Sequence, residues 1–362
     1  MSDHPKEGAE KMAKAIFLSA DCWLSVFNLL PPSQLGFGIA LISRRFDCYV
    51  DEHFKTRKWA LKWICVKSKT GENGTRQMEI ANWDEKALPI PQMQLPRKVT
   101  GFECLSIRFI DPNVIAFLHR FRPLFDSFCP INLNIYNKSE SAVQLLRNIW
   151  PMLAKNICWL LLFKDGFQHL RKFVPSLLND CPSLRAISFD FDEVFAEFPA
   201  DDCAMASDGQ AVAKWLFTPH PDNVPKVFEC GCSNAGTWSL KIAAFKAAFA
   251  NASSPVNFIV VISIVKSVVA TIVPFEHTNE LTREQLVLKR AENANSDLFF
   301  LLVRSPIVRD ASKWAKWEEE AGDLEVFSQW NTIDISINDE DVIGDGLPGA
   351  ATPGPSDQQQ NE

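Results

Sequence analysis

The stretch Ile131-Asn-Leu-Asn-Ile-Tyr-Asn-Lys-Ser-Glu-Ser-Ala-Val-Gln-Leu-Leu-Arg-Asn-Ile-Trp-Pro-Met-Leu-Ala-Lys-Asn-Ile-Cys-Trp-Leu-Leu-Leu-Phe163 decides the fold. It opens and closes on short apolar runs of strand character, around Leu133 and Leu160. Between them Val143, Leu146, Ile149, Trp150 and Leu153 recur at three- and four-residue steps, the period of a helix with one buried face. The unit is strand, helix, strand. It repeats: strand-like runs fall around Leu105, Leu133, Leu160 and Ile187, at spacings of 28, 27 and 27 residues. In the first unit Val114, Phe117, Leu118, Phe121 and Phe125 share one helical face, and Asp111-Pro112 supplies an acidic cap and a proline at the first helical position. In the third, Phe167, Leu170, Phe173, Val174 and Leu177 form the stripe, closed by residues 179–182.

Beyond this the rhythm loosens. Strands are expected around Val227, Ile259, Leu301 and Ile335, at steps of 40, 32, 42 and 34. The first long step holds the acidic stretch Asp190 to Asp208, read as an inserted loop. In the second, Thr282-x-x-Gln285 has the form of a capping box and predicts an extra helix over Leu281 to Arg290. Further helices are expected over Ser239 to Ala252 and Ala311 to Ala321. Strand–helix units of about 27 residues resemble leucine-rich-repeat architecture, without that family's asparagine ladder. The fold class expected is α/β: a degenerate leucine-rich-repeat-like β/α solenoid with parallel strands over residues 100–338, behind an N-terminal helical module.

Composition sets the outer bounds. The 362 residues are 47% hydrophobic and 22% charged, an ordinary globular balance with material for a large core. A net charge of −7 does not suggest a broad nucleic-acid surface. No apolar run is long enough to cross a membrane, and the first residues lack the apolar core of a secretory signal, so a cytoplasmic or nuclear protein is expected. The ten cysteines are then free thiols, and only Cys230 and Cys232 lie close together, as C-x-C, without a second pair at zinc spacing. The six histidines are scattered. No metal and no cofactor is expected.

The N-terminal module spans residues 16–57, after a polar segment 1–15 expected to be disordered. Residues 18–46 read Leu18-Ser-Ala-Asp-Cys-Trp-Leu-Ser-Val-Phe-Asn-Leu-Leu-Pro-Pro-Ser-Gln-Leu-Gly-Phe-Gly-Ile-Ala-Leu-Ile-Ser-Arg-Arg-Phe46. A first helix, about Asp21 to Leu29, carries Trp23, Leu24 and Phe27 on one stripe and stops at Pro31-Pro32. Leu35, Ile39, Ile42, Phe46 and Val50 continue the pattern through a second helical region. About forty residues cannot bury this many apolar side chains, so a partner or the rest of the chain must cover some.

This stretch resembles the F-box. Leu18-Ser19 stands at the opening Leu-Pro of that family, Leu24, Phe27 and Leu30 at its first-helix positions, Leu30-Pro31-Pro32-Ser33-Gln34-Leu35 at its central turn, and Ile42-Ser43-Arg44-Arg45-Phe46 at its closing motif. Ser19 replaces proline, Gln34 the usual acid and Phe46 tryptophan. The continuation through Phe54 is similar to expanded nematode F-box proteins, in which the module precedes a long strand–helix region. The resemblance implies a non-catalytic receptor subunit of an SCF-type ubiquitin ligase. It would bind a Skp-type adaptor, and through it a cullin, with Leu18, Trp23, Leu24, Phe27, Leu29, Leu30, Pro31, Leu35, Ile39, Ile42, Ser43 and Phe46. An unidentified protein target would sit on the repeat domain, and neither nucleic acid nor membrane is implied.

Residues 58–99 read as a β-hairpin, turned at Asn73-Gly74, and a connector with Pro89, Pro91 and Pro96. Residues 339–362, rich in Gly, Pro, Asp and Gln, are expected to be disordered. Other signals carry less. Arg44, Arg45, Lys55, Arg57 and Lys58 read as a solvated rim. Asp190, Asp192, Glu193, Glu197, Asp201 and Asp202 interleave with Phe189, Phe191, Val194, Phe195 and Phe198, as in a loop with apolar anchors. Trp314 and Trp317 read as the core side of an amphipathic helix. Two alternatives stay open: a scaffold whose F-box-like helices cap its own repeat domain, and a hydrolase or nuclease using the acidic loop.

Overall fold

The computed structural model describes residues 19–30, 34–55, 59–70, 76–81, 88–89, 99–126, 130–136, 146–189, 194–232, 235–264, 272–292, 298–323 and 331–337. Both termini expected to be disordered, the Asn73-Gly74 turn, most of the proline connector and Val143 lie outside these residues.

Three helical segments come first: α1 (Ala20–Phe27), a π-helical turn (Leu35–Ile39) and α2 (Arg44–Lys55). The single second helical region expected from the stripe is thus divided. The chain leaves the helical path at 40–43 and restarts where Ser43 Oγ accepts the Phe46 amide at 3.4 Å. Strands β1 (Trp59–Thr70) and β2 (Arg76–Ala81) form the expected antiparallel hairpin, and β3 (Leu88–Pro89) pairs on β2.

The strand–helix array follows: β4 (Val99–Ile107), α3 (Pro112–Asp126), β5 (Ile131–Ile135), α4 (Trp150–Leu153), β6 (Ile157–Leu162), α5 (Lys164–Phe173), β7 (Ala186–Phe189), α6 (Asp208–Leu216), β8 (Lys226–Cys232), α7 (Ala235–Ala250) and β9 (Phe258–Ile264). Then come β10 (Phe275–Asn279), β11 (Glu284–Glu292), β12 (Leu298–Pro306), α8 (Ala311–Gly322) and β13 (Thr332–Ile335). The described strands make one mixed sheet of order β10-β11-β12-β9-β8-β7-β6-β5-β13-β4-β1-β2-β3.

From β1 to β9 the neighbours are parallel. Every strand expected from the spacing is present. Val114, Phe117, Leu118, Phe121 and Phe125, then Leu146, Ile149, Trp150 and Leu153, then Phe167, Leu170 and Leu177 are buried with Leu105, Leu133, Leu160 and Ile187 in one contiguous core. Hence α3, the 146–156 segment, α5, α6 and α7 all cover the same face, as same-handed crossovers require.

Three expectations give way. Residues 284–292 form strand β11, not a helix. Leu286 and Leu288 alternate with half-exposed neighbours, and nine residues pair with β12. The Thr282 capping signature lies in a hairpin turn, where Asn279 Oδ1 accepts the amides of Leu281 and Thr282. Second, β12 runs antiparallel to β9, so the Leu301 strand leaves the parallel array. Third, the Ile335 strand does not extend the series but inserts between β4 and β5. Asn331 seats it: its amide donates to Phe102 O at 2.7 Å, its carbonyl accepts from the Asn132 amide at 3.2 Å, and its side-chain oxygen takes the Phe102 amide at 3.1 Å.

To reach that slot the chain returns along the face the other helices leave uncovered. There Trp314 and Ala321 of α8 pack on Trp159, Ala186, Val227, Ile259, Val261, Phe299, Leu301 and Val303, spanning five strands. Asp310 caps α8, and Glu318 holds its outer turn by pairing with Lys289 at 2.5 Å and Arg309 at 3.4 Å. The face that a bare strand–helix array would offer to a ligand is therefore half occupied by its own chain.

Candidate functional site

The helical module is built around a few inward side chains. Phe27, Leu35, Ala40 and Val50 are fully buried, and they belong to the same contiguous core as the sheet. Trp23 meets Phe46 edge-on at 4.9 Å between ring centres, and Phe27 lies edge-on to His53 at 5.9 Å. Burying a phenylalanine of this kind contributes about 1.5–3 kcal/mol, so these contacts fix how α1 crosses α2. Ser19, where the F-box pattern has proline, is the N-cap of α1; its hydroxyl accepts the Cys22 amide at 3.4 Å. Either residue starts the helix, by a different device: proline by its fixed φ, serine by taking an unpaired amide.

The residues assigned to the adaptor separate into three groups. Phe27 and Leu35 are 1% and 0% exposed, so they hold the module and have no surface to offer. Trp23, Leu24, Leu30, Ile39 and Phe46 are half-buried, packed on the core with one side still reachable. Leu29 and Ile42 are 83% and 63% exposed, and Ser43 is exposed beside them in sequence. Leu18 and Pro31 lie outside the described residues. Val26, three residues before Leu29, is 41% exposed and was not on the sequence stripe. Its signal was there in the i, i+3 spacing to Leu29.

Arg45 Nε donates to the Tyr49 hydroxyl at 2.9 Å with the guanidinium over the ring, so this cation is held against its own helix. The Asp47 carboxyl is raised by partial burial and by Asp51 one turn on.

The other candidates resolve into structure. Of the acidic stretch, Asp190, Asp192 and Glu193 lie outside the described residues. Val194, Phe195 and Ala196 are buried anchors. Glu197 accepts from Ser207 Oγ at 2.5 Å, and Asp201 accepts the Cys203 amide and thiol, which lower its pKa. Arg171 ties the loop down through Ala206 O, Cys203 O and Asp208. A cleft of about 420 Å³ remains between α5 and this loop. Its walls mix Lys164, Arg171 and Lys172 with Glu197 and Asp208.

Burial pushes the Cys104, Cys181 and Cys230 thiols well up, and Cys158 to about 11, so these sulfurs stay protonated and poorly nucleophilic. Among the described residues no group of three His, Cys, Asp or Glu side chains could hold a metal ion. No helix of the described residues is long and apolar enough to cross a membrane. Comparison with known proteins finds no matching family model, no matching curated protein and no matching solved structure.

Proposed function

We propose that this chain is a substrate-recognition subunit of a cullin-type ubiquitin ligase, docking a Skp-type adaptor through residues 19–55 and a protein target through the sheet domain. The observation that carries the reading is the exposure of Leu29, Ile42 and Val26 on a module whose inward side chains are already satisfied. Apolar side chains of this size, left in water at the end of α1 and in the turns after α1 and after the π-helical segment, are an unfilled contact, and they fall within the stretch that resembles the F-box. The chain supplies no catalytic group. Tethering raises the effective concentration of the target near the ubiquitin-carrying enzyme.

Burial dictates the choice of variants. Phe27→Asp would unfold the module and report only on folding, whereas Leu29→Asp with Ile42→Asp changes side chains that make little contact within the chain. Co-expressed adaptor is expected to co-purify with the wild-type chain and to be lost from the double variant, with the melting temperature unchanged. Equal recovery with both proteins overturns the proposal. A second reading, in which the helices cap their own sheet, is favoured by the continuity of Phe27, Leu35, Ala40 and Val50 with the main core. It expects no adaptor with either protein and a destabilised remainder when residues 1–57 are removed.

A further inference from the structure

The two edges of the sheet differ. On one side β3 ends it with two residues, one of them Pro89, which has no amide to offer a further strand. On the other side β10 ends it with five residues, Phe-Glu-His-Thr-Asn, and among the described residues β10 pairs with β11 alone. Glu276, His277 and Thr278 are exposed in succession, so neither face of the strand is covered there. Alternate backbone groups of such a strand point away from its one neighbour and want a second. The flanks expose apolar side chains as well: Val273 before the strand is 74% exposed and Leu281 after it 76%.

These positions are symmetric about His277. Val273 and Leu281 stand four residues from it on either side, Phe275 and Asn279 two, and Glu276 and Thr278 one. Consider a second copy laid antiparallel along this edge, with a twofold axis at His277. Glu276 then faces the partner's Thr278, Phe275 faces the partner's Asn279, and Val273 comes beside the partner's Leu281, each contact occurring twice. The neighbouring registers are worse. An axis at Glu276 sets that carboxylate against itself, and an axis at Thr278 sets Glu276 against the partner's Glu280; like charges directly opposite are destabilising. Charge at the flanks is complementary in the His277 register. Lys246 of α7 has its Nζ 3.7 Å from the centre of the Phe275 ring. Neither Lys246 nor the exposed Glu280 has an ion partner among the described residues. With Phe275 facing the partner's Asn279, the partner's Glu280 is the next residue toward Lys246.

We infer that β10 is a self-association edge, through which two copies of this chain join their sheets antiparallel about a twofold axis at His277. The contact covers Val273 and Leu281 of both copies and gives the outward backbone groups of β10 their partners. Being isologous, it closes on itself and stops at two copies. It goes beyond the ligase reading and does not depend on it, since the edge uses none of residues 19–55.

The experiment uses the full chain without adaptor. Sedimentation velocity over a dilution series is expected to show the wild-type chain passing from dimer to monomer. His277→Asp sets two carboxylates opposite each other at the axis, and is expected to weaken the dimer about fivefold or more with an unchanged circular dichroism spectrum. A cross-link tests the register without relying on that variant. His277→Cys places two thiols on strands whose facing Cα atoms are about 4.5–5.5 Å apart, within the span of a disulfide. Residue 276 of the two copies is about 8 Å apart in the same dimer, beyond that span, so Glu276→Cys is the control. Mild oxidation should give a covalent dimer from His277→Cys and not from Glu276→Cys or the wild type. A wild-type chain that is monomeric at every concentration, a dimer that His277→Asp leaves intact, or equal cross-linking of the two cysteine variants overturns the inference.

Discussion

Replacing Glu284 by glutamine is expected to destabilise the chain more than any other change of one atom type. Arg304 and Glu284 are 0% and 1% exposed, and they pair at 2.6 Å between β12 and β11. The guanidinium also donates to Ser254 O at 2.9 Å and lies 5.2–5.9 Å from the rings of Phe217, Phe249 and Phe258. The second carboxylate oxygen accepts the Val256 amide at 2.7 Å. The pair thus joins the antiparallel end of the sheet to the loop after α7. Glutamine keeps the shape but leaves a buried cation facing an amide donor. Breaking a buried pair from one side costs about 3–5 kcal/mol, because the remaining charge stays desolvated. At roughly 2–4 °C per kcal/mol for a domain of this scale, the melting temperature should fall by about 6–20 °C. Removing both charges with Glu284→Leu and Arg304→Met should cost less than the single change, since no uncompensated charge remains. Urea unfolding followed by circular dichroism measures both. A loss below about 1 kcal/mol for Glu284→Gln, or a double variant worse than the single one, would refute the reasoning.

Three further outcomes are expected. Trp314→Ala opens a cavity beneath α8 and should cost about 3–5 kcal/mol, read by thermal unfolding, while adaptor co-purification stays intact. Burial pulls the Lys226 ammonium from 10.5 down to about 7, so between those values the unfolded chain holds a proton that the folded chain has lost. Stability should therefore rise with pH across that window, by up to about 1.4 kcal/mol per unit, and Lys226→Met should flatten the slope; parallel profiles for the two proteins would contradict this. Ending the chain at residue 323 removes β13 and leaves the facing edges of β4 and β5 unpaired. The truncated protein should aggregate during expression, whereas ending it at 337 should not.

The sequence exposed the parts of this fold whose signal is local. The 27-residue strand–helix spacing placed β4 to β7, and the stripes Val114 to Phe125 and Phe167 to Leu170 placed the faces their helices bury. It failed where a long-range partner decided the outcome. Residues 284–292 carry a helix-start signature, yet pairing with β12 and the buried carboxylate of Glu284 make them a strand. Ile335 looks like the next turn of a solenoid, and nothing local shows that it slips between β4 and β5 or that α8 crosses the opposite face to bring it there. The candidate docking face divides in the same way. The resemblance placed Phe27, Leu29 and Ile42 in one adaptor-facing set, but only the packing shows that Phe27 points inward while Leu29 and Ile42 remain outside.

The most direct test of the central proposal is amide hydrogen exchange of the full chain with and without a Skp-type adaptor. Docking on the exposed side chains of the helical module should slow exchange in Ala20–Phe27, in Leu35–Ile39 and at the start of Arg44–Lys55, and leave β5 to β9 unchanged. Exchange in these segments that is the same with and without adaptor, at concentrations well above those at which such partners associate, would contradict it.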